Sequence, residues 1–297
     1  MSSFTEYRIG EATITRVTDV VLDQLSAEQL FVNWNPELPR RHPDWFLPGT
    51  MSDDDTHVLL SIHSWVIRHR GQVILVDTGS GNHKERPHAM YFNHLQTAYL
   101  EGLANVDVRP EDVDIVMTTH LHVDHVGWNT RLEGGKWVPT FPNARYFFSK
   151  LEHRFYNDPS NHTERNRTSF QVQEDSVNPI VEAGLATLLD DTERTPVAGF
   201  ELYPTPGHSP GHVSIVFRSG HDTALFSGDI LHHPIQVFDP TLITIFDADQ
   251  EAALKHRRWG LNFTADHKAL FFSPHFAATS VGRVLRSSND QFSWEFL

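Results

Sequence analysis

The chain has 297 residues, 39% of them hydrophobic and 21% charged, so it can bury a core without a disulfide or metal staple. Lys and Arg number 24 against 38 Asp and Glu, and the resulting formal charge of −14 opposes nucleic acid and anionic membrane surfaces as partners. Cysteine is absent, which excludes disulfides, zinc ribbons, iron–sulfur clusters and a thiol nucleophile. The opening residues MSSFTEYRIG lack the basic and apolar segments of a secretory signal, and no apolar run approaches the roughly 18 residues of a membrane span. A cytoplasmic protein is expected. Histidine is abundant, at 20 residues, and its placement becomes the main question.

In chain order, residues 6–19 alternate as a pair of strands would. From Leu30 to Met51, Pro36, Pro39, Pro43 and Pro48 stand among Trp34, Trp45 and Phe46. Proline at that density blocks helix and sheet interior alike, while the aromatics need cover from the main domain, a substrate or a second subunit. Residues 1–56 therefore read as an N-terminal extension, and 57–297 as the catalytic domain. VLLSIHSWVIRHR and QVILVDTG predict a hairpin about Gly71. Residues 88–104 suggest a helix, DIVMTTH (114–120) a buried strand, ARYFFS a further strand, and 149–157 a helix. FELYPT, HVSIVF and TALFSGD predict three short strands. Residues 249–267 predict a helix capped by Asp249, and ALFFS a last strand. Strands and helices alternate, with hairpins, so the class is α/β with mixed sheets.

The chemistry concentrates in Thr119-His120-Leu121-His122-Val123-Asp124-His125, three histidines and an aspartate at the end of an apolar strand. A period of two points His120 and His122 the same way, with Asp124 and His125 just past the turn. Two histidines do not complete a site, since zinc-like ions take about four ligands. His208, Asp229 and His275 each stand in the first loop after a short strand, where open α/β sites gather.

This pattern, HxHxDH followed by a distant His, Asp and His, resembles the metallo-β-lactamase superfamily over about residues 57–280. The resemblance implies an αββα sandwich of two mixed β-sheets flanked by helices, with two divalent metal ions at one edge. By position, His120, His122 and His208 would hold one ion; Asp124, His125 and His275 the other; and Asp229 would bridge them. Asp77, in Val-Asp-Thr-Gly, matches an aspartate that supports such sites from behind the ligands, and a loop-capping role reads equally well. Zinc is the expected ion, with manganese, iron and cobalt as alternatives.

Within the family, a bridging carboxylate and the continuation Ile230-Leu231-His232-His233-Pro234 set the chain apart from true β-lactamases and from glyoxalase II. What remains resembles the lactonase, arylesterase and methyl-parathion-hydrolase group. That implies hydrolysis of small, largely apolar esters or lactones, with a metal-bridging hydroxide as nucleophile and Asp124 orienting it or relaying its proton. A phosphotriesterase- or phosphodiesterase-type hydrolase on the same ions is the alternative, and a mono-iron oxygenase a more distant one. Lactonases often carry a tyrosine where His232 stands, so His232 is a candidate to steer the substrate carbonyl or protonate the leaving group. Trp128 is a candidate pocket wall, and packing beneath the loop reads equally well. His63, His83 and His212 read as structural or exposed, and Arg257-Arg258 as a solvated helix face. The expected partner is a small-molecule substrate, without nucleic acid or membrane, in a chain that a proline-rich extension predisposes to a homodimer.

Overall fold

Apolar runs of the chain become strands of two separate mixed sheets. The computed structural model describes residues 5–54, 56–190 and 192–297. The chain divides into two units: residues up to Val20 with Ile62–Arg194, and Val21–Ser61 with Thr195–Leu297.

The first unit carries a seven-stranded sheet in the order Glu6–Ile9, Ala12–Ser26, His57–His69, Gln72–Val76, Ile115–Met117, Arg145–Ser149 and Ala186–Leu189. The hairpin at Gly71 forms as the sequence predicts, with Trp65 opposite Val76. Gln72–Val76 then pairs in parallel with Ile115–Met117, and that strand in parallel with Arg145–Ser149. Parallel strands buried on both faces read as continuous apolar runs, as VILV and IVM do. The parallel register ends Val76 and Met117 side by side, which delivers Asp77 and the 118–125 loop to one edge. Ser149 caps the helix Lys150–Asn157 by accepting from Glu152 N–H. The helix expected over 88–104 is mostly absent. The chain makes a single 3-10 turn, Met90–Phe92, and a helix only over Tyr99–Asn105. Asn82 and Thr97 exchange hydrogen bonds across this loop, and His94 N–H donates to Lys84 O. These local bonds replace helical ones.

The second unit carries a six-stranded sheet: Phe200–Pro204, Val213–Ser219, Asp222–Phe226, Leu270–Phe272, Val281–Arg286 and Phe292–Phe296. Phe200–Pro204 runs antiparallel to Val213–Ser219, which runs antiparallel to Asp222–Phe226; the last is parallel to Leu270–Phe272. Three of these strands thus end at the same edge, and His208, Asp229 and His275 follow those ends. The helix Gln250–His267 starts where expected, with Asp249 accepting from Ala252 N–H at 3.0 Å. Its buried positions 253, 257, 260, 261 and 264 form one face. Arg257 lies on that face, so the expectation of a solvated Arg257-Arg258 pair holds for Arg258 alone. The proline-rich stretch forms only short turns, with Trp34, Trp45 and Phe46 half-buried. Trp45 stacks on Phe238, and Trp34 and Phe46 line a cavity of about 580 Å³ with Pro36, Pro39 and Pro43. Among the described residues no helix is long and apolar enough to cross a membrane.

Candidate metal centre

In the first unit, two strand ends are tied together by one buried carboxylate. Asp77 follows Gln72–Val76 with a φ of +57°, and its N–H donates to Met117 O at 2.9 Å. Its Oδ1 accepts from Thr119 N–H at 2.8 Å, and its Oδ2 accepts from the Thr119 hydroxyl and from His125 Nδ1, both at 2.9 Å. A carboxylate only accepts, so His125 carries its proton on Nδ1 and the lone pair sits on Nε2. The Thr119 hydroxyl, having donated to Asp77, accepts from His120 Nδ1 at 3.1 Å, which places the His120 lone pair on Nε2 as well. That Nε2 faces His122 Nδ1 at 3.0 Å, while His122 Nε2 meets the Tyr156 hydroxyl at 2.8 Å. Asp124 is less buried than His125, its Oδ1 3.7 Å from His125 Nε2.

The loop is braced from behind. Buried Glu152 accepts from Leu121 N–H at 3.2 Å, and Thr78 N–H donates to His125 O at 2.7 Å. Gly127 N–H donates to Gly79 O at 2.7 Å, and a Cβ at Gly127 would stand 1.9 Å from Ser80 backbone atoms. Only glycine permits that approach. Trp128 takes the second of its two expected places, packed beneath the loop. It is buried, its ring stacks on Tyr99 at 5.2 Å, and its Nε1 donates to Asp19 at 3.0 Å. Its indole is committed to the core beneath the loop.

In the second unit, histidines surround a single carboxylate oxygen. His208, His232 and His275 present Nε2 to Asp229 Oδ2 at 3.2, 3.2 and 3.1 Å, all four residues being buried. His275 Nδ1 faces the Ser61 carbonyl at 3.2 Å, so Nδ1 is the donor there, and its Nε2 meets Asp229 Oδ2 at 3.1 Å. Three buried imidazole Nε2 atoms thus crowd within 3.2 Å of one carboxylate oxygen. Two ligands on a tetrahedral ion at about 2.1 Å are about 3.4 Å apart, close to what is seen. The residues fit a divalent metal on this ground, and imidazole with carboxylate is a donor set zinc accepts.

His208 is placed by Gly207, with a φ of +144°, where an added Cβ would stand 2.3 Å from the Ala253 nitrogen. Asp229 is placed by His212, whose Nε2 accepts from Asp229 N–H at 2.8 Å while its Nδ1 faces Thr205 at 2.8–3.1 Å. His212 is thus structural, as expected. Behind His208, the buried Asp247 stands 3.9 Å from Nδ1 and is paired with Arg257. Neither Asp247 nor Glu152 carries a spacing signal in the sequence. Each acts through partners that only the fold supplies.

The metallo-β-lactamase superfamily model matches residues 57–261. The chain is similar to the probable metallo-hydrolase YybB of Bacillus subtilis, with 26% identity over 62% of this chain and 71% of that protein. An N-acyl homoserine lactonase of Bacillus cereus is 26% identical over 49% of this chain and about half, 54%, of its own length. Among solved structures, the hydrolase AbOPH of the β-lactamase superfamily superposes with a TM-score of 0.83 at 22% identity, over 100% of this chain and 98% of that one. The dizinc quorum-quenching lactonase AidC gives 0.77 at 22% identity, covering 99% and 97%. The mixed α/β architecture of these structures is the one the sequence led us to expect.

Proposed function

The chain belongs to the metallo-β-lactamase superfamily, and from that premise we propose that it is a dinuclear metal-dependent hydrolase of small, largely apolar esters or lactones. His120, His122 and His208 hold one ion in this reading; Asp124, His125 and His275 hold the other; and Asp229 bridges them. The observation that carries it is the convergence of three buried imidazole Nε2 atoms on Asp229 Oδ2 at 3.1–3.2 Å. Lactonases among the similar proteins support the substrate class.

Two bound divalent ions, zinc foremost, would make a water nucleophilic near neutral pH and polarise the oxygen of the scissile bond. The chain's own residues then set the geometry. Asp77 fixes the His125 tautomer, and Thr119 that of His120. Asp124, the least buried carboxylate of the set, orients the attacking water and takes its proton on a carboxylate oxygen. Burial of Asp229 keeps competing water from its oxygens.

Elemental analysis of the purified protein, paired with chromogenic aryl esters, lactones and phosphotriesters, tests this. We expect near two equivalents of zinc or manganese with ester or lactone turnover, both lost in His120→Ala and Asp229→Ala. One equivalent of iron without hydrolysis would overturn the assignment, and phosphotriester turnover alone would overturn the substrate class.

A further inference from the structure

We propose that His232 is itself a metal ligand through Nε2, a donor added to the seven named above. The inference rests on the metal-site reading and gives His232 a different role from substrate steering. His232 lies just past the turn Gly228–Ile230, and its position is fixed through the backbone: its N–H donates to Gln236 Oε1 at 2.7 Å, and Gln236 Nε2 in turn donates to Leu242 O at 2.9 Å. The ring is buried, only 2% of the residue being exposed, and neither ring nitrogen makes a hydrogen bond. A buried ring nitrogen without a partner calls for a ligand, and Nε2 is the one that faces Asp229.

The direction of the ring says which ligand. Nε2 stands 3.2 Å from Asp229 Oδ2, within hydrogen-bond range, yet the pair does not have hydrogen-bond geometry. Short separation without alignment is what two donors aimed at one ion produce, because each lone pair points at the ion rather than at the other. His208, Asp229 and His232 each offer a ligand atom, and these lie within 4.8 Å of one another. The His232 ring is parallel to that of His275, at 5.4 Å and 4°, so both edges face the carboxylate. Phe246 covers the ring at 5.5 Å on another side. A hydrogen-bonding role toward a substrate carbonyl would leave the approach to Asp229 unused.

The test is metal retention by the full chain and does not need a substrate. Cobalt(II) is loaded into the wild type, into His232→Phe and into His232→Gln, with exposed His83→Ala as control. A competing chelator is titrated and the visible d–d spectrum recorded; circular dichroism checks the fold, and the Gln variant decides if the Phe variant fails that check. We expect one cobalt to be held at least about tenfold more weakly in the His232 variants, with a changed d–d band, and no change in His83→Ala. Unchanged retention and spectrum at His232, even with turnover lost, would overturn the proposal and return the residue to substrate contact. A wild type that takes up no cobalt would overturn the metal-site reading and this proposal together.

Discussion

Arg257 offers the sharpest test of how the second unit is held together. Its guanidinium is fully buried, and donates to Ile230 O at 2.9 Å, Pro240 O at 3.0 Å, Leu242 O at 2.6 Å and Asp247 Oδ2 at 3.1 Å. Arg257→Met keeps most of the side-chain length and removes every one of these donors. It leaves Asp247, with no exposed side-chain surface, as a buried carboxylate that has lost its guanidinium and keeps the Thr244 N–H at 3.1 Å. Breaking a buried ion pair from one side costs about 3–5 kcal/mol. The hydrogen bonds give the same scale, at about 1 kcal/mol net for each. At about 2 °C per kcal/mol, as suits a longer chain, the midpoint of thermal unfolding should fall by roughly 6–10 °C. Urea denaturation and a thermal melt measure both quantities. Arg257→Met combined with Asp247→Leu should recover at least half of the loss, because replacing both charges by apolar groups is often neutral. A single variant within about 1 kcal/mol of wild type, or a double variant as unstable as the single, would refute the reasoning.

Asp77→Asn should keep the fold but weaken metal retention about 10–100-fold, because His125 loses the carboxylate that fixes its tautomer; equal chelator competition would remove Asp77 from the site. Trp128→Ala should cost about 3–5 kcal/mol while leaving the ranking of ester substrates unchanged, and a changed ranking would restore the residue to the pocket. Burial draws the Lys84 ammonium down to about 7, with Asp175 opposing and Arg86 adding to the shift. Between that value and the ordinary 10.5 the unfolded chain holds a proton the folded chain has released, so stability rises with pH across this window. Wild type should therefore gain on Lys84→Met between pH 7 and pH 9.5 in urea titrations; a constant difference would count against it.

What was legible in the sequence was what local order determines. Strand ends followed within a few residues by histidine or aspartate mark His120, His208, Asp229 and His275, because strand period and the first loop after it are properties of a short segment. Asp249 as a cap was readable for the same reason. Arg257 was misread by its neighbour: the pair Arg257-Arg258 looks solvated, yet position 257 is four residues after buried Ala253 and four before buried Leu261. The periodicity held the answer, and the charge concealed it. Over 88–104 the composition permits a helix, but Asn82 and Thr97, fifteen residues apart, close the loop first. Trp128 illustrates a further limit, since an aromatic beside a site looks the same from the sequence whether it faces substrate or Asp19.

The buried polar residues share one arrangement, and it bears on how the site works. Asp77 occupies His125 Nδ1, Thr119 occupies His120 Nδ1, Tyr156 occupies His122 Nε2, and the Ser61 carbonyl occupies His275 Nδ1. In each ring one nitrogen is spent on the protein, so the other presents its donor in a fixed direction before any ion arrives. Ordering these rings is thus a cost of folding rather than of metal binding, which favours tight retention. His232 differs, being held through its backbone N–H by Gln236 while its ring nitrogens make no hydrogen bond. A ligand oriented by the main chain alone can turn about its side-chain bonds more easily than one anchored at its far nitrogen.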